Sequence, residues 1–320
     1  MECMTSSAGA MSAGTATSNF LIRVIMQQRK SFGFLYALLA VSIWSGNFVI
    51  ASGFVDALPP ITLAALRWTT ATIVFLPFAA KHMRRDKDAI LSNLKVLIVA
   101  AIAGVTMFNT LVYVSARTTD TVNMALFATT TPIFVVILSR IFLGEAISLF
   151  RSVGLVVAIT GMLTIASRGN LDILLNMTFR VGDLWMLLAG LLWAIYSILV
   201  KKKPEGVSQF SYLGTVFLTG TIPLIPAALF EQQFYPAWTM TPAIIGATFY
   251  IGLGASLAAF FLWNSAVMLI GPGTCSLFQY FMPVFSGIGA FFLLGQPITT
   301  SHAIGFVLIF TGVVLATRPR

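Results

Sequence analysis

Few residues in this chain are equipped for chemistry. Of its 320 residues, ten are acidic, nineteen are Lys or Arg, two are His and two are Cys. The carboxylates are Glu2, Asp56, Asp86, Asp88, Asp120, Glu145, Asp172, Asp183, Glu205 and Glu231, and none falls deep inside an apolar run. His82 and His302 stand at the ends of such runs. Proton relays through lipid use buried Asp, Glu or His, so no coupling carboxylate is evident. The pattern tilts toward a facilitator, an exchanger or a weakly coupled carrier, with Asp183 and His302 as alternatives at the span ends. A membrane-embedded enzyme would need clustered His, Asp or Glu at helix spacing, or an activated nucleophile. Neither occurs, and no enzymatic activity is expected. Cys3 and Cys275 make neither a disulfide framework nor a zinc site, so no metal and no cofactor is expected. There is no GxxxxGK[ST], no HExxH and no GxGxxG in a strand-to-helix setting, which excludes a self-powered ATPase within this chain.

Arg67 is the only charge well inside an apolar run. Its planar fork suits a substrate carboxylate. Its place within two turns of the run's end favours the alternative, that it snorkels outward or caps nearby carbonyls. Pro132 and Pro283 stand mid-run at equivalent places and release the carbonyls of Ala128 and Gln279 from the helix ladder. Thr129, Thr130, Thr131 and Gln279 can satisfy such groups or offer them to a solute. Both prolines are therefore candidate kinks, with use as hinges compatible with that role.

The elements that hold these residues follow from composition. Fifty-eight per cent of the chain is hydrophobic, only 9% is charged, and mean hydropathy is +0.93. A soluble domain carries about 25% charged residues, so the solvent of this chain is lipid. Apolar runs near the roughly 20 residues needed to cross a bilayer fall at 32–52, 61–80, 95–114, 121–142, 151–168, 182–200, 208–230, 242–264, 273–294 and 301–317. The first 30 residues, rich in Ser, Thr, Ala and Gly, read as a disordered or over-long N-terminal tail, with a targeting peptide as the alternative. The net charge of +9 sits in short loops, so it marks topology and not nucleic-acid binding. With the N-terminus inside, fifteen basic residues are cytoplasmic and only Arg117, Arg168 and Arg180 lie outside. Both termini are therefore expected in the cytoplasm.

The chain also repeats itself. An offset of 151 carries Pro132 onto Pro283, Phe134 onto Phe285, Gly144 onto Gly295, Gly154 onto Gly305 and Gly161 onto Gly312. Earlier in each half an offset of 149 carries Gly33 onto Gly182, Leu38 onto Leu187 and Trp44 onto Trp193. The halves are 31–168 and 181–318, with five spans each. An odd number forces the second half to enter the membrane from the opposite side. Inverted repeats are a recurring plan of secondary transporters, with the solute site near the midplane where the halves meet.

The stretches from Ser42 to Phe48 (SIWSGNF), Pro60 to Trp68 (PITLAALRW), Thr131 to Phe134 (TPIF) and Leu143 to Ser148 (LGEAIS), followed by a glycine-spaced fifth span, resemble the drug/metabolite transporter superfamily with two EamA-type domains. The resemblance covers roughly residues 33–317. It implies an all-α integral membrane fold of ten helices in two inverted five-helix repeats, working by alternating access. It places Trp44, Asn47, Asn109, Tyr113, Asn123, Trp193, Tyr196, Trp263, Asn264, Gln279 and Tyr280 in spans around a central cavity. Asn and Gln there offer donors and acceptors without charge, and aromatic rings suit a flat or amphipathic solute or a cation. For each residue taken alone, helix packing or an interfacial position is the competing reading. The fifth and tenth spans, with Gly154, Gly161, Gly305 and Gly312, fall at the periphery, where small residues let helices approach. Gln296 takes the place that Glu145 holds in the first half, which gives Glu145 a helix-end role at the loop. The function implied is export of amino acids or related metabolites across the cell inner membrane. Import of a vitamin or other precursor, such as a riboflavin-like or nucleotide-sugar-like solute, is the alternative, and a passive channel is a third. The partners implied are a small-molecule substrate and the lipid bilayer, without nucleic acid, for a monomer or homodimer.

Overall fold

A computed structural model of the protein describes residues 27–46, 58–295 and 297–318, and among these there is no strand. The tail before residue 27 therefore lies outside the described residues, as do Asn47, Asp56 and Gln296. The first described helix, α1, spans 27–46, so its first turn begins inside the stretch expected as tail. Among the described residues, eight helices are long and apolar enough to cross a membrane. They are α2 (Pro60–Arg85), α3 (Leu94–Thr118), α4 (Val122–Leu143), α5 (Leu149–Ala166), α6 (Val181–Lys201), α7 (Gln209–Phe234), α8 (Pro242–Ile270) and α9 (Pro272–Phe292). A shorter apolar helix, α10 (Thr300–Ala316), follows.

Local signals set the helix ends. Pro60 opens α2 and Pro242 opens α8, positions where a missing N–H costs nothing. Asp120, Ser148 and Ser208 accept from the backbone N–H groups of Asn123, Arg151 and Ser211 and so cap α4, α5 and α7. Gly144 (φ 69°) and Gly295 (φ 65°), repeat equivalents, end the helices that contain Pro132 and Pro283 in the left-handed conformation that glycine tolerates. α8 runs on to Ile270, past the 264 expected from sequence, because no breaker intervenes before Gly271 (φ 80°) and Pro272.

Five helices are locally irregular, among them α7, which breaks at Ile222 and Pro223 and ends in a 3₁₀ turn over Gln232–Phe234. α4 is interrupted at Thr129, and α9 tightens to a 3₁₀ turn over Leu277–Phe281. Each irregularity lies just before its proline. α3 and α8 widen to π turns at Ile102–Met107 and Tyr250–Ala258, again at repeat-equivalent positions. Such π segments are frequent at functional sites.

Repeat equivalents also touch. The rings of Trp44 and Trp193 meet edge-on with centroids 5.3 Å apart. The Thr72 and Thr221 hydroxyls, related by 149, lie 2.9 Å apart. The Tyr280 hydroxyl donates to the carbonyl of Thr129, its equivalent at offset 151, at 3.0 Å. A Cβ on Gly154 would fall 2.4 Å from the Gly312 carbonyl oxygen, and one on Gly161 would fall 2.7 Å from that of Gly305. Rising numbers in α5 thus meet falling numbers in α10, and the two pairs exchange under the repeat. α2 and α7 are likewise antiparallel, and a carboxylate near the end of each caps the start of the other. Glu231 accepts from the Ile61 and Thr62 backbone N–H groups at 3.0 and 2.7 Å. Asp86 accepts from the Ser208 backbone N–H at 2.8 Å and the Ser211 hydroxyl at 2.7 Å. The Arg85 guanidinium and these serine donors hold the Asp86 carboxyl well below the usual carboxylate range.

Candidate functional site

The contact between Trp44 and Trp193 lies in a cluster of buried rings built by α1, α2, α6, α7 and α8. Trp263 stands 5.2 Å from Trp44 and 5.7 Å from Trp193, and Phe260 meets Trp193 edge-on at 5.5 Å. Trp68 joins through Phe260 at 4.8 Å and Phe217 at 5.2 Å. Offset and edge-on arrangements of this kind each add about 0.5–1.5 kcal/mol beyond burial. Trp44 is further fixed by its indole N–H, which donates to the Ala255 carbonyl at 2.8 Å. That carbonyl belongs to the π turn of α8, where the widened backbone turns peptide groups away from ordinary helix partners. Tyr196 lies against Trp193 at 5.4 Å, and its hydroxyl pairs with Asn264, whose Nδ2 donates to it at 2.9 Å. Gly104, in the π turn of α3, makes room for the Tyr196 ring: an added Cβ would fall 2.4 Å from it.

Arg67 borders this cluster. Its side chain is only 2% exposed, so it does not snorkel outward as its sequence position favoured. Nε donates to the Ser256 hydroxyl at 2.7 Å, and Nη1 donates to Asn109 Oδ1 at 2.9 Å and to the Tyr113 hydroxyl at 2.7 Å. The guanidinium carbon lies 5.4 Å from the Trp68 ring centroid and 6.0 Å from that of Tyr113. Both chain halves contribute, since Ser256 comes from the α8 π turn and Asn109 from the turn after the α3 π segment. These bends aim the polar groups inward; a regular helix would have placed them on other faces.

Several buried donors here have no acceptor among the described residues. They are Asn109 Nδ2 and the indole N–H groups of Trp68, Trp193 and Trp263. Gln279 Oε1, near the bent start of α9, is a buried acceptor without a donor. Unpaired buried polar groups are uncommon and call for an explanation; a concentration in one place suits a region that exchanges partners with a solute.

The residues picked from sequence divide into three places. Trp44, Trp193, Tyr196, Trp263 and Asn264 share the aromatic cluster, while Arg67, Asn109 and Tyr113 form its polar border. Gln279 and Tyr280 lie with the bends before Pro283 and Pro132. Asn123 is elsewhere: its Nδ2 donates to Asp183 Oδ2 at 2.8 Å and to the Thr178 carbonyl at 2.9 Å, in a network that also takes the Thr119 hydroxyl. That network fixes the starts of α4 and α6. Asn47 lies outside the described residues. Ser256, Trp68, Phe217 and Phe260 were not picked out from sequence. The glycines that accompany the π turns, Gly104, Gly252 and Gly254, were the available signal.

At one end of the molecule, Arg151 bridges the halves. It approaches Glu145 at 3.4 Å and donates to the Thr274 hydroxyl at 2.7 Å. A cleft of about 350 Å³ opens beside it, lined by residues that include Ser148, Thr274 and Arg318. Glu145 thus closes a helix end and a cross-half contact, in keeping with its loop position. Among the described residues no group of three or more His, Cys, Asp or Glu could hold a metal ion.

Two stretches of the chain, 31–167 and 180–318, match the EamA-like transporter family. The chain belongs to that family. It is 28% identical over 281 residues to Uncharacterized transporter YyaM of Bacillus subtilis (strain 168), covering 88% of this chain and 92% of that protein. It is 27% identical over 288 residues to an Uncharacterized transporter of Archaeoglobus fulgidus, covering 89% and 97%. Protein PecM of Dickeya dadantii (strain 3937) is 21% identical over 282 residues, covering 88% and 90%. A solved crystal structure aligns with a TM-score of 0.70 over 91% of this chain and 96% of its own, at 20% identity, which shows the shared fold. The eight long apolar helices and the family together identify a multi-pass membrane transporter.

Proposed function

We propose that this transporter moves small metabolites by alternating access of two inverted five-helix halves. In this reading ten helices span the cell inner membrane, both termini are cytoplasmic, and the solute passes between Arg67 and the aromatic cluster. One observation carries the reading: equivalent residues of the two halves meet in antiparallel pairs, and one of those pairs, Trp44 with Trp193, lies within the cluster of unpartnered donors. An element related to its mate by a pseudo-two-fold can rock against it toward either side at similar energy, as alternating access requires. The rings of Trp68, Trp193 and Trp263 are fully buried at the centre in the described arrangement.

The solute class proposed is an amino acid or related metabolite, and the direction proposed is export. The mixed lining of rings, amides and one guanidinium supports an amphipathic solute. Among the described residues no buried carboxylate beside the site offers a coupling proton: Asp183 and Glu231 are both engaged at helix starts. Movement then follows the solute gradient, which for a metabolite made in the cell points outward. The test is an untargeted comparison of metabolites inside and outside cells with and without the protein, followed by counterflow of the solute it identifies in proteoliposomes. Accumulation outside on expression, with accelerated exchange, is expected. Depletion from the medium would make it an importer, and flux without counterflow would make it a channel.

A further inference from the structure

Among the described residues, Arg67 is a charge without a countercharge. The ion pairs among the described residues are Arg85 with Asp86, Arg151 with Glu145 and Arg180 with Asp120. Each of the three partners of Arg67 is neutral. The guanidinium cannot shed its proton to escape burial, and a buried charge left with neutral partners is costly. Folding alone therefore gives no reason for an arginine here. A purely structural hub for Ser256, Asn109 and Tyr113 could be built from a neutral amide without that cost.

The polarity of the surroundings identifies what would answer the charge. Asn109 spends its carbonyl oxygen on Arg67 and keeps an unpartnered NH₂. Tyr113 accepts from Arg67 and so retains its own hydroxyl proton for donation. Ser256 is satisfied, since it accepts from Arg67 and donates to the Ile251 carbonyl at 3.1 Å. Next to Arg67, the Trp68 indole N–H also lacks an acceptor. The spare capacity is thus all donor, arranged around one fixed positive charge. A cation placed beside Arg67 would meet repulsion from the guanidinium. A carboxylate would meet the two N–H groups of Arg67 Nη2, which no partner takes among the described residues, beside the Asn109 amide and the Tyr113 hydroxyl.

We propose that Arg67, with Asn109 and Tyr113, is the docking point for a carboxylate of the transported solute, whose apolar portion enters the neighbouring ring cluster. This rests on the transporter reading above and narrows its substrates to carboxylate-bearing ones. An arginine holds Ser256, Asn109 and Tyr113 and still keeps the two N–H groups of Nη2 for the solute, which a lysine ammonium with three donors could not.

The test uses the purified full chain and two probes of one shape, phenylacetate and its neutral amide, phenylacetamide, with apparent Tm as the readout. Phenylacetate is expected to raise the Tm in a saturable manner and phenylacetamide to leave it unchanged. In Arg67→Gln the phenylacetate affinity is expected to fall at least tenfold while the Tm without probe stays level or rises, since an unanswered charge has gone. Arg67→Lys, which keeps the charge, is expected to fall between the two. Equal responses to both probes, or none to either, would overturn the proposal, and that comparison needs only the unmutated protein. A lower probe-free Tm in Arg67→Gln with an intact phenylacetate response would make Arg67 structural. If proteoliposomes exchange an amino acid and its carboxamide equally well, the transport reading stands and the docking point falls. If phenylacetate binds through Arg67 but no solute is exchanged, the docking point stands and the transport reading falls.

Discussion

The seam between α5 and α10 and the centre around Arg67 are both places where the two halves meet, and they are built on opposite principles. At the seam the contact is backbone against small residue, with glycines admitting carbonyl oxygens so closely that no Cβ would fit. Helix dipoles aside, nothing polar is left over there, and the shape alone holds the pair. At the centre the large rings and the guanidinium bring groups whose hydrogen-bonding capacity is not used up. On the transport reading proposed above, the seam is the fulcrum and the centre is the region that changes partners.

The sharpest way to break this contrast is to widen the seam. Gly154→Leu would push against the Gly312 carbonyl and the Ala316 backbone, which cannot give as a flexible side chain could. A loss of about 3 kcal/mol is expected, at the upper end for overpacking, seen as a lower Tm together with lost transport. A variant that transports normally at unchanged Tm would remove the fulcrum. At the centre, Asn264→Ala leaves the buried Tyr196 hydroxyl without its partner. A cost of about 1–2 kcal/mol is expected from that unsatisfied group, read as a lower Tm. If Asn109→Ala, Asn264→Ala and Gln279→Ala all leave transport kinetics unchanged, the cavity assignment is wrong.

A smaller effect probes the mutual capping that keeps α2 and α7 in register. Asp86 titrates below its unfolded value, so its contribution is complete above about pH 4 and is lost as the pH falls below that toward its folded value. Asp86→Asn should cost about 1 kcal/mol near neutrality, as loss of a helix cap does, and the gap to the unmutated protein should close on acidification. A gap that stays constant with pH would contradict the charge-based account. The smallest effect is the opposite in sign. Gly246, in α8, has open space where a Cβ would go. Gly246→Ala should stabilise by about 0.5–1 kcal/mol through lower chain entropy and leave transport alone, which marks by contrast how special the seam glycines are.

Much of this was legible in the sequence because the determinants are one-dimensional. Lipid-crossing length, proline and glycine breaks, and the duplicated register of Pro132 with Pro283 and Gly154 with Gly305 all sit in the order of residues, since a bilayer demands satisfied backbone along each span. The sequence likewise named most of the central rings and amides, because polar groups in apolar runs are rare. It misjudged Arg67 and placed Asn123 in the cavity, and both errors have one cause. Whether a side chain near a span end faces water, a neighbour or the centre depends on helix rotation, and rotation is fixed by packing between helices. The π turns of α3 and α8 change that rotation midway along a span, aiming Asn109 and Ser256 at Arg67. No spacing rule within a single helix carries that information. Residue order thus determined the membrane solvent, the repeat and the family, while tertiary structure alone decided which polar groups were satisfied and which, at the centre, were left with capacity to spare.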